Sequence, residues 1–338
     1  MAERFLIVLP DESAKPILDA INAARKSLRI KMFVFSDPAL LQAVIAAHDR
    51  GIKVWVMLNA ARRSGADDNK AARKALEKAG VNIKDSNPAF GITHEKSMVV
   101  DDATAFVKSL NWATENLTET RDYAIGTTHK KGVREILDCF EADWHRKNFT
   151  PGLSEHMIWC PDDGRERVAH FIDAAKHTLF VQNERYQDTV IIERLVRARE
   201  RGVKVHVMAR PPHSLKKDKL VEGVGGLRIM DDVGIKVHKL RHLKLHGKLL
   251  LRDGVRAIVG SINLAPGSFD DRRELAIEFG DDEIVERLEK IARHDWKHSH
   301  PLDLSDEGLL GDLEDRIEGA AQRLALVVKD KKRKKRKE

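Results

Sequence analysis

Gly51-Ile52-Lys53-Val54-Trp55-Val56-Met57 returns as Gly202-Val203-Lys204-Val205-His206-Val207-Met208, 151 positions farther along the chain. The same displacement carries Ile21-Asn22-Ala23-Ala24-Arg25-Lys26-Ser27-Leu28 onto Ile172-Asp173-Ala174-Ala175-Lys176-His177-Thr178-Leu179. Asp143-Trp144 recurs as Asp295-Trp296 with one residue more. Self-similarity at a fixed displacement means one folding unit used again. It divides the chain into residues 1–150 and 151–300, with 301–338 outside the repeat. A length of 338 residues suffices for two domains, each with its own core.

Within a unit two periodicities alternate. Residues 28–35 are apolar-rich and partly alternating, as a strand requires; residues 38–50 space their apolar groups as a helix does, and Gly51 stands where a helix C-terminal glycine belongs. Residues 53–58 read as a second strand, and helix and strand alternate again through 68–84. Helices are expected over 14–28 and 165–179. Strands alternating with helices of this length imply an α/β sheet, largely parallel.

Hydrophobic residues make up 42% of the chain and charged residues 33%, the composition of a globular protein rather than a disordered one. No apolar run approaches the roughly 18 residues of a membrane span, and Phe5–Leu9, ending at Pro10, is too short for the apolar core of a signal peptide. A cytoplasmic location is therefore expected, with room for peripheral membrane contact. Cys139 and Cys160 are the two cysteines, too few and too far apart for a disulfide framework or a zinc site.

The net charge of +7 is unevenly placed. Residues 329–338 hold eight basic and two acidic side chains, a net of +6, which leaves the rest of the chain at +1. Such a tail repels itself and is expected to be disordered, with an anionic membrane or a nucleic acid as its possible contact. Before it, residues 301–328 are acidic, and Leu310, Leu313, Ile317, Ala321 and Leu324 fall on one helical face. An acidic amphipathic helix packing on the body or on a partner is expected there.

The repeat also carries reactive residues. His94-Glu95-Lys96-Ser97-Met98-Val99-Val100-Asp101 has the spacing His-x-Lys-x4-Asp, and His246-Gly247-Lys248-Leu249-Leu250-Leu251-Arg252-Asp253 repeats it. Thirteen residues after each lysine stands Ser109-Leu110-Asn111 or Ser261-Ile262-Asn263. Eleven residues after each asparagine comes an acid preceded by arginine, Arg121-Asp122 or Arg273-Glu274. One such match carries little weight; two in register, each with both downstream elements, carry a great deal. On a strand, His94, Lys96 and Met98 share a face, as do His246, Lys248 and Leu250. Burying a histidine and a lysine together without a partner is costly, and a phosphate is a natural partner.

This duplicated motif resembles that of the phospholipase D superfamily, over nearly all of residues 1–300. The resemblance implies an α/β protein of two tandem lobes, each a mixed, largely parallel sheet flanked by helices, related by a pseudo-twofold axis and sharing one active site. It implies a phosphodiesterase that needs no metal and no cofactor. His94 would attack phosphorus to form a phosphohistidine, and His246 would protonate the leaving oxygen and then activate water or an alcohol. The chemistry of the residues agrees, because imidazole serves as nucleophile when neutral and as acid when protonated. Lys96 and Lys248 would hold the non-bridging oxygens, with Ser109, Ser261, Asn111 and Asn263 adding phosphate-binding donors. Asp122 and Glu274 would orient the two imidazoles. Asp101 and Asp253, about 16 Å beyond the lysines on the opposite strand face, read as supports of the motif.

Two positions depart from the family pattern: Lys108 stands where Gly260 shows the usual glycine, and Asp122 is one methylene shorter than the usual glutamate. Trp144 and Trp296 are expected to cap the lobe cores. Arg241, His242 and Lys244 read as a solvated edge. Glu184, Arg185 and Tyr186, whose first-unit counterparts lie around Phe33–Phe35, are a source of asymmetry in substrate choice. Phospholipases, phospholipid-transferring synthases and nucleases share this chemistry, and fold and motif do not choose among them. The reading preferred from sequence is hydrolysis of a phospholipid head-group phosphodiester. A metal-independent endonuclease acting on DNA or RNA and a cardiolipin synthase-like phosphatidyltransferase are the alternatives.

Overall fold

The computed structural model describes residues 3–60, 67–211 and 217–305. The expected acidic helix beyond residue 305 and the basic tail 329–338 lie outside the described residues. The first half runs β1 (Arg4–Leu9), α1 (Lys15–Ala23), β2 (Ser27–Met32), α2 (Pro38–Asp49), β3 (Lys53–Leu58), α3 (Lys70–Lys78), β4 (Asn82–Asp85), β5 (Ile92–Thr93), β6 (Ser97–Val100), β7 (Thr104–Lys108), α4 (Thr114–Thr118), β8 (Thr120–Thr127) and α5 (Lys130–Trp144). The second repeats this series as β9 (Met157–Cys160), α6 (Gly164–Asp173), β10 (Thr178–Asn183), α7 (Thr189–Glu200), β11 (Lys204–Ala209), α8 (Lys217–Asp232), β12 (Lys236–Leu240), β13 (Lys244–Leu245), β14 (Leu249–Arg252), β15 (Arg256–Gly260), α9 (Pro266–Asp270), β16 (Arg272–Phe279) and α10 (Asp282–Lys297). One extra strand, β17 (Ser299–Pro301), follows.

Local chemistry sets the matching elements. Asp37 caps α2 by accepting from the backbone N–H groups of Ala39 and Leu40, and Asp188 caps α7 through Ile191 N–H. Each helix ends two residues before a glycine in the left-handed region, Gly51 at φ +84° and Gly202 at φ +89°, where a side chain would be strained.

The sheets run β1-β8-β7-β6-β2-β3-β4 and β17-β12-β11-β10-β14-β15-β16-β5, with β9 beside β16. Both are mixed. The parallel pairing expected from strand–helix alternation runs through β2-β3-β4 and β10-β11-β12, where helices make the crossovers, and the short β5 and β13 also pair parallel, with β16 and β8. Around the motif β6–β7 and β14–β15 are hairpins joined by short turns, and the neighbouring pairs β2–β6, β7–β8, β10–β14 and β15–β16 are antiparallel as well.

Helices α1–α3 cover the outer face of the first sheet and α6–α8 that of the second. The inner faces meet in a shared core with α5 and α10, in which Leu6, Val8 and Ile125 pack with Leu249, Leu251 and Ile277. Each large apolar side chain removed from water contributes about 1.5–3 kcal/mol, so this shared core is the main force joining the lobes. Trp144 closes a small cluster with Met57 and Phe140, while Trp296 stacks on His238 at 3.9 Å. No described helix is long and apolar enough to cross a membrane.

The strand expected to run through each His-x-Lys segment is broken at the motif. Ile92 and Thr93 form β5 against Arg272 and Arg273 of the second sheet, and the chain then enters its own sheet at Ser97. Likewise Lys244 and Leu245 form β13 against Thr120 and Arg121 of the first sheet before the chain enters β14. Backbone N–H groups of His94 and Glu95 both donate to Arg273 O, and those of His246 and Gly247 to Arg121 O. Each motif is thus held by the strand that carries the other lobe's acid.

Candidate active site

The two exchanged strands decide which carboxylate meets which imidazole. Extending the β5 register by one residue sets His94 beside Glu274; extending β13 sets His246 beside Asp122. His94 Nδ1 lies 2.9 Å from Glu274 Oε2, and His246 Nδ1 lies 2.9 Å from Asp122 Oδ1. Each histidine is oriented by the opposite lobe. With Nδ1 engaged, Nε2 is left for chemistry at both rings.

Both histidines line one cavity of about 450 Å³ with Asn111 and Asn263. The Oδ1 atoms of these asparagines are buried without a hydrogen-bond partner among the described residues. An amide so placed can rotate to present its N–H to a phosphoryl oxygen. Lys96 and Lys248 lie just behind this wall, buried, their ammonium groups donating to His94 O and His246 O. Ser109 and Ser261, expected on the phosphate, are elsewhere. Ser109 Oγ donates to Asp122 and accepts from Tyr123 N–H, and Ser261 Oγ bonds the backbone of Leu275. Each hydroxyl bridges its loop to the neighbouring strand and is fully buried, so it supports the carboxylate rather than the substrate.

The two half-sites differ electrostatically. Burial, then Lys96, Lys248 and Arg272, holds the His94 imidazole well below its ordinary pKa. Its partner Glu274 is pushed up by burial, with Lys96 opposing. Burial works against the Asp122 carboxylate too, but His246, Lys248 and the Ser109 hydroxyl outweigh it and hold Asp122 below the ordinary range. Asp122 is therefore favoured as a carboxylate beside His246, while His94 is biased toward the neutral form. Lys96 is lowered to about 7 by burial and the nearby Lys248, against the pull of Glu274. Lys108, at the departure from glycine, is also lowered to about 7 by burial; its ammonium sits 5.0 Å from the Trp112 ring centre. At the matching Gly260 a Cβ would lie 2.4 Å from Ala276 Cα, so a side chain cannot be accommodated there without a shift.

Asp101 accepts from the backbone N–H groups of Arg25, Lys26 and Ser27, and Asp253 from those of Lys176, His177 and Thr178. These carboxylates fasten the turn before β2 and β10, at the far end of the strand from the histidines. Lys244, expected at a solvated edge with Arg241 and His242, is half exposed but reaches the cavity rim, paired with Glu115 and Glu119.

Three features escaped the sequence reading. Arg121 forks onto Asp295 at 3.0 Å through both Nε and Nη2, and Arg273 reaches Asp143 at 3.2 Å, so the repeated Asp-Trp pairs anchor the arginines of the opposite lobe. The common displacement of these arginines and aspartates was the available signal. Second, Lys31 is buried between Glu95 and Asp143 at 2.8 Å from each. Glu95, Cys139 and Asp143 are the one group of metal-ligand spacing among the described residues, and the Lys31 ammonium already supplies their cation. Third, Glu184, expected from sequence only as a source of asymmetry, touches both Lys248 and His246, a pairing with the motif that the residue order did not show.

The chain matches the cardiolipin synthase, phospholipase D-like domain family over residues 17–144 and 168–296. Mitochondrial cardiolipin hydrolase of Homo sapiens is 34% identical over 155 residues, which cover 44% of this chain and 60% of that protein's own length. Cardiolipin synthase B of Escherichia coli (strain K12) is 25% identical over 300 residues, 74% of this chain and 70% of that protein. In fold, the phosphatidylserine synthase of Haemophilus influenzae Rd KW20 superposes with a TM-score of 0.75 at 12% identity, covering 96% of this chain and 94% of that one. With two matched segments that together span most of its length, the chain belongs to the cardiolipin synthase, phospholipase D-like domain family of the phospholipase D superfamily.

Proposed function

We propose that this enzyme transfers the phosphatidyl group of a phospholipid to an alcohol through a phosphohistidine on His94, with hydrolysis as the same path ending on water. The observation that carries the proposal is the crossed pair of histidine–carboxylate contacts facing one cavity, with His94 biased to the neutral form and Asp122 to the ionised form. A neutral His94 Nε2 attacks phosphorus. The protonated His246 Nε2 gives its proton to the departing oxygen and takes one back from the incoming alcohol. Lys96, Lys248, Asn111 and Asn263 gather the non-bridging oxygens.

The lipid reading draws support from a second cavity of about 730 Å³, which shares Ile92 with the first and is walled in part by Pro88 and Phe90. Its apolar stretch at Pro88, Phe90 and Ile92, set among the polar Asn59, Asn87, Asp85, Arg146 and Asp271, offers room for the glycerolipid portion. The longer of the two sequence matches, to cardiolipin synthase B over 74% of this chain, supports transfer, while the shorter match to mitochondrial cardiolipin hydrolase supports the ending on water.

The test is product analysis on phosphatidylglycerol vesicles with EDTA present. Cardiolipin and free glycerol are expected as the main products. Phosphatidic acid alone reduces the reading to hydrolysis, and cleavage confined to single-stranded or duplex DNA replaces it with a nuclease. Loss of turnover in EDTA, restored by a divalent ion, removes the metal-free mechanism.

A further inference from the structure

The imidazoles have matching partners on Nδ1 but different neighbours beyond. Phe33 packs edge-on against the His94 ring at 4.8 Å. Its counterpart 151 positions later is Glu184, whose Oε2 lies 2.9 Å from Lys248 Nζ and 3.8 Å from His246 Nε2. Matching loops hold the two side chains in place. Phe35 bridges to Trp112 and Tyr186 to Leu264, and the Asn183 side chain clamps Arg185 N–H, Leu264 N–H and Ile262 O around Glu184. Glu184 Oε1 also accepts from Arg210 at 3.0 Å, and its side chain is 12% exposed on the cavity wall.

In phosphoryl transfer the entering and leaving groups stand roughly in line. With His94 on one side of phosphorus, the alcohol that leaves, and the one that replaces it, sits against His246 and therefore against Glu184. When Lys248 turns to a phosphoryl oxygen, Glu184 keeps Arg210 and has an oxygen to offer. A carboxylate only accepts hydrogen bonds, so its ligand must donate. The wall carries four cations, Arg185, Arg210, Lys244 and Arg272, against two carboxylates, Glu115 and Glu184, a balance that disfavours an ammonium group.

Resting on the transfer reading above, we propose that Glu184 is the specificity-determining residue for the alcohol, accepting a hydrogen bond from a second, neutral hydroxyl next to the reacting one. The reacting hydroxyl oxygen bonds to phosphorus and its proton passes to His246 Nε2. The phosphorus–nitrogen bond breaks, returning its electron pair to His94 Nε2. A polyol is thereby favoured over water or a simple alcohol.

The test uses bis(p-nitrophenyl) phosphate with the full chain, so that the phosphoenzyme forms without a lipid. Glycerol, 1-propanol and ethanolamine compete at equal concentration, and the adducts are counted per p-nitrophenol released. The wild type should favour glycerol over 1-propanol about tenfold, the scale of one hydrogen bond to a charged group. Glu184→Ala should bring the ratio close to one. Glu184→Gln, which keeps the size and one acceptor oxygen, should give an intermediate ratio and serves if the alanine variant does not fold. The ratio is read from products and is independent of total turnover. Equal use of glycerol and 1-propanol by the wild type, an unchanged ratio in the glutamine variant, or preference for ethanolamine each overturns the inference. Absence of p-nitrophenol release by the wild type instead strikes the phosphohistidine reading on which it rests.

Discussion

Asp122 and His246 stand 124 residues apart and in different lobes, yet their side chains meet at 2.9 Å. The His94–Glu274 contact repeats the arrangement in the opposite sense, at the same distance. Each histidine meets its carboxylate across the lobes, so neither contact can form within a single lobe and both arise only once the lobes have docked.

Removing the charge from Asp122 while keeping its shape should separate orientation from folding. Asp122→Asn is expected to lower kcat by about 10²–10⁴-fold, the scale of a general acid–base contribution. KM should change far less, because the phosphate-binding groups remain. Steady-state kinetics on a phosphodiester with a poor leaving group reads this out; a change confined to KM would remove Asp122 from its orienting role.

The two histidines should be separable by trapping. His94→Ala and His246→Ala are each expected to lose about 10³-fold or more in turnover. With a good leaving group, His246→Ala should accumulate a phosphoenzyme at His94, detected by mass spectrometry of acid-sensitive peptides. Phosphate found on His246 in the His94→Ala variant would reverse the roles.

Lys96 should give the enzyme an alkaline limb. The ammonium is the form that binds phosphate, and burial lowers its pKa to about 7. The charge is thus present below pH 7 and lost as pH rises through it. kcat/KM, which reports the free enzyme, should fall over that range. Lys96→Arg stays protonated and should move the limb upward. Because Lys108 is lowered to about 7 as well, a limb unmoved in Lys96→Arg would point to that neighbour.

The crossed bridge between Arg121 and Asp295 predicts a stability effect remote from the chemistry. Asp295→Ala leaves a guanidinium that is 5% exposed with much of its compensation gone, and should cost about 3–5 kcal/mol. Replacing both partners by apolar residues should recover a large part of the loss. Urea unfolding of the two single variants and the double variant measures it; equal destabilisation in the double variant would show that the pair is not coupled.

Gly247, between His246 and Lys248, should not tolerate a side chain. A Cβ there would come within 2.8 Å of the Tyr123 ring and 3.0 Å of Arg121 O, both on the strand that carries Asp122. Gly247→Ala should destabilise the fold by about 1–3 kcal/mol and lower turnover by shifting His246 from Asp122. Thermal unfolding and kcat of that variant check both. The matching position holds Glu95, whose carboxylate binds Lys31 away from the strand, which is why the two motifs differ at this place.

Much was legible in residue order because it is periodic. The 151-residue displacement, the apolar spacing of α2 and the glycine after it are local properties, and local sterics and hydrogen bonding decide them wherever the chain goes. That His94, Lys96, His246, Lys248, Asp122 and Glu274 belong together was legible for the same reason, each being doubled at a constant displacement, and the structure brings His94 to Glu274 and His246 to Asp122. The serines were misplaced because a hydroxyl next to an anion and next to a buried carboxylate look alike in sequence; only the strand neighbour shows that Ser109 serves Asp122.

The sequence by itself determined that there are two copies, which elements each contains and which residue types can do the chemistry. Tertiary structure alone decided that β5 and β13 pair across the lobes, so that His94 meets Glu274 and His246 meets Asp122. It also decided that Phe33 packs on the His94 ring while Glu184 meets Lys248 and His246. The physical reason is that a two-residue strand has too few hydrogen bonds to choose its own partner. Its pairing is set by how the shared apolar core docks the two sheets, and that docking joins residues more than a hundred positions apart.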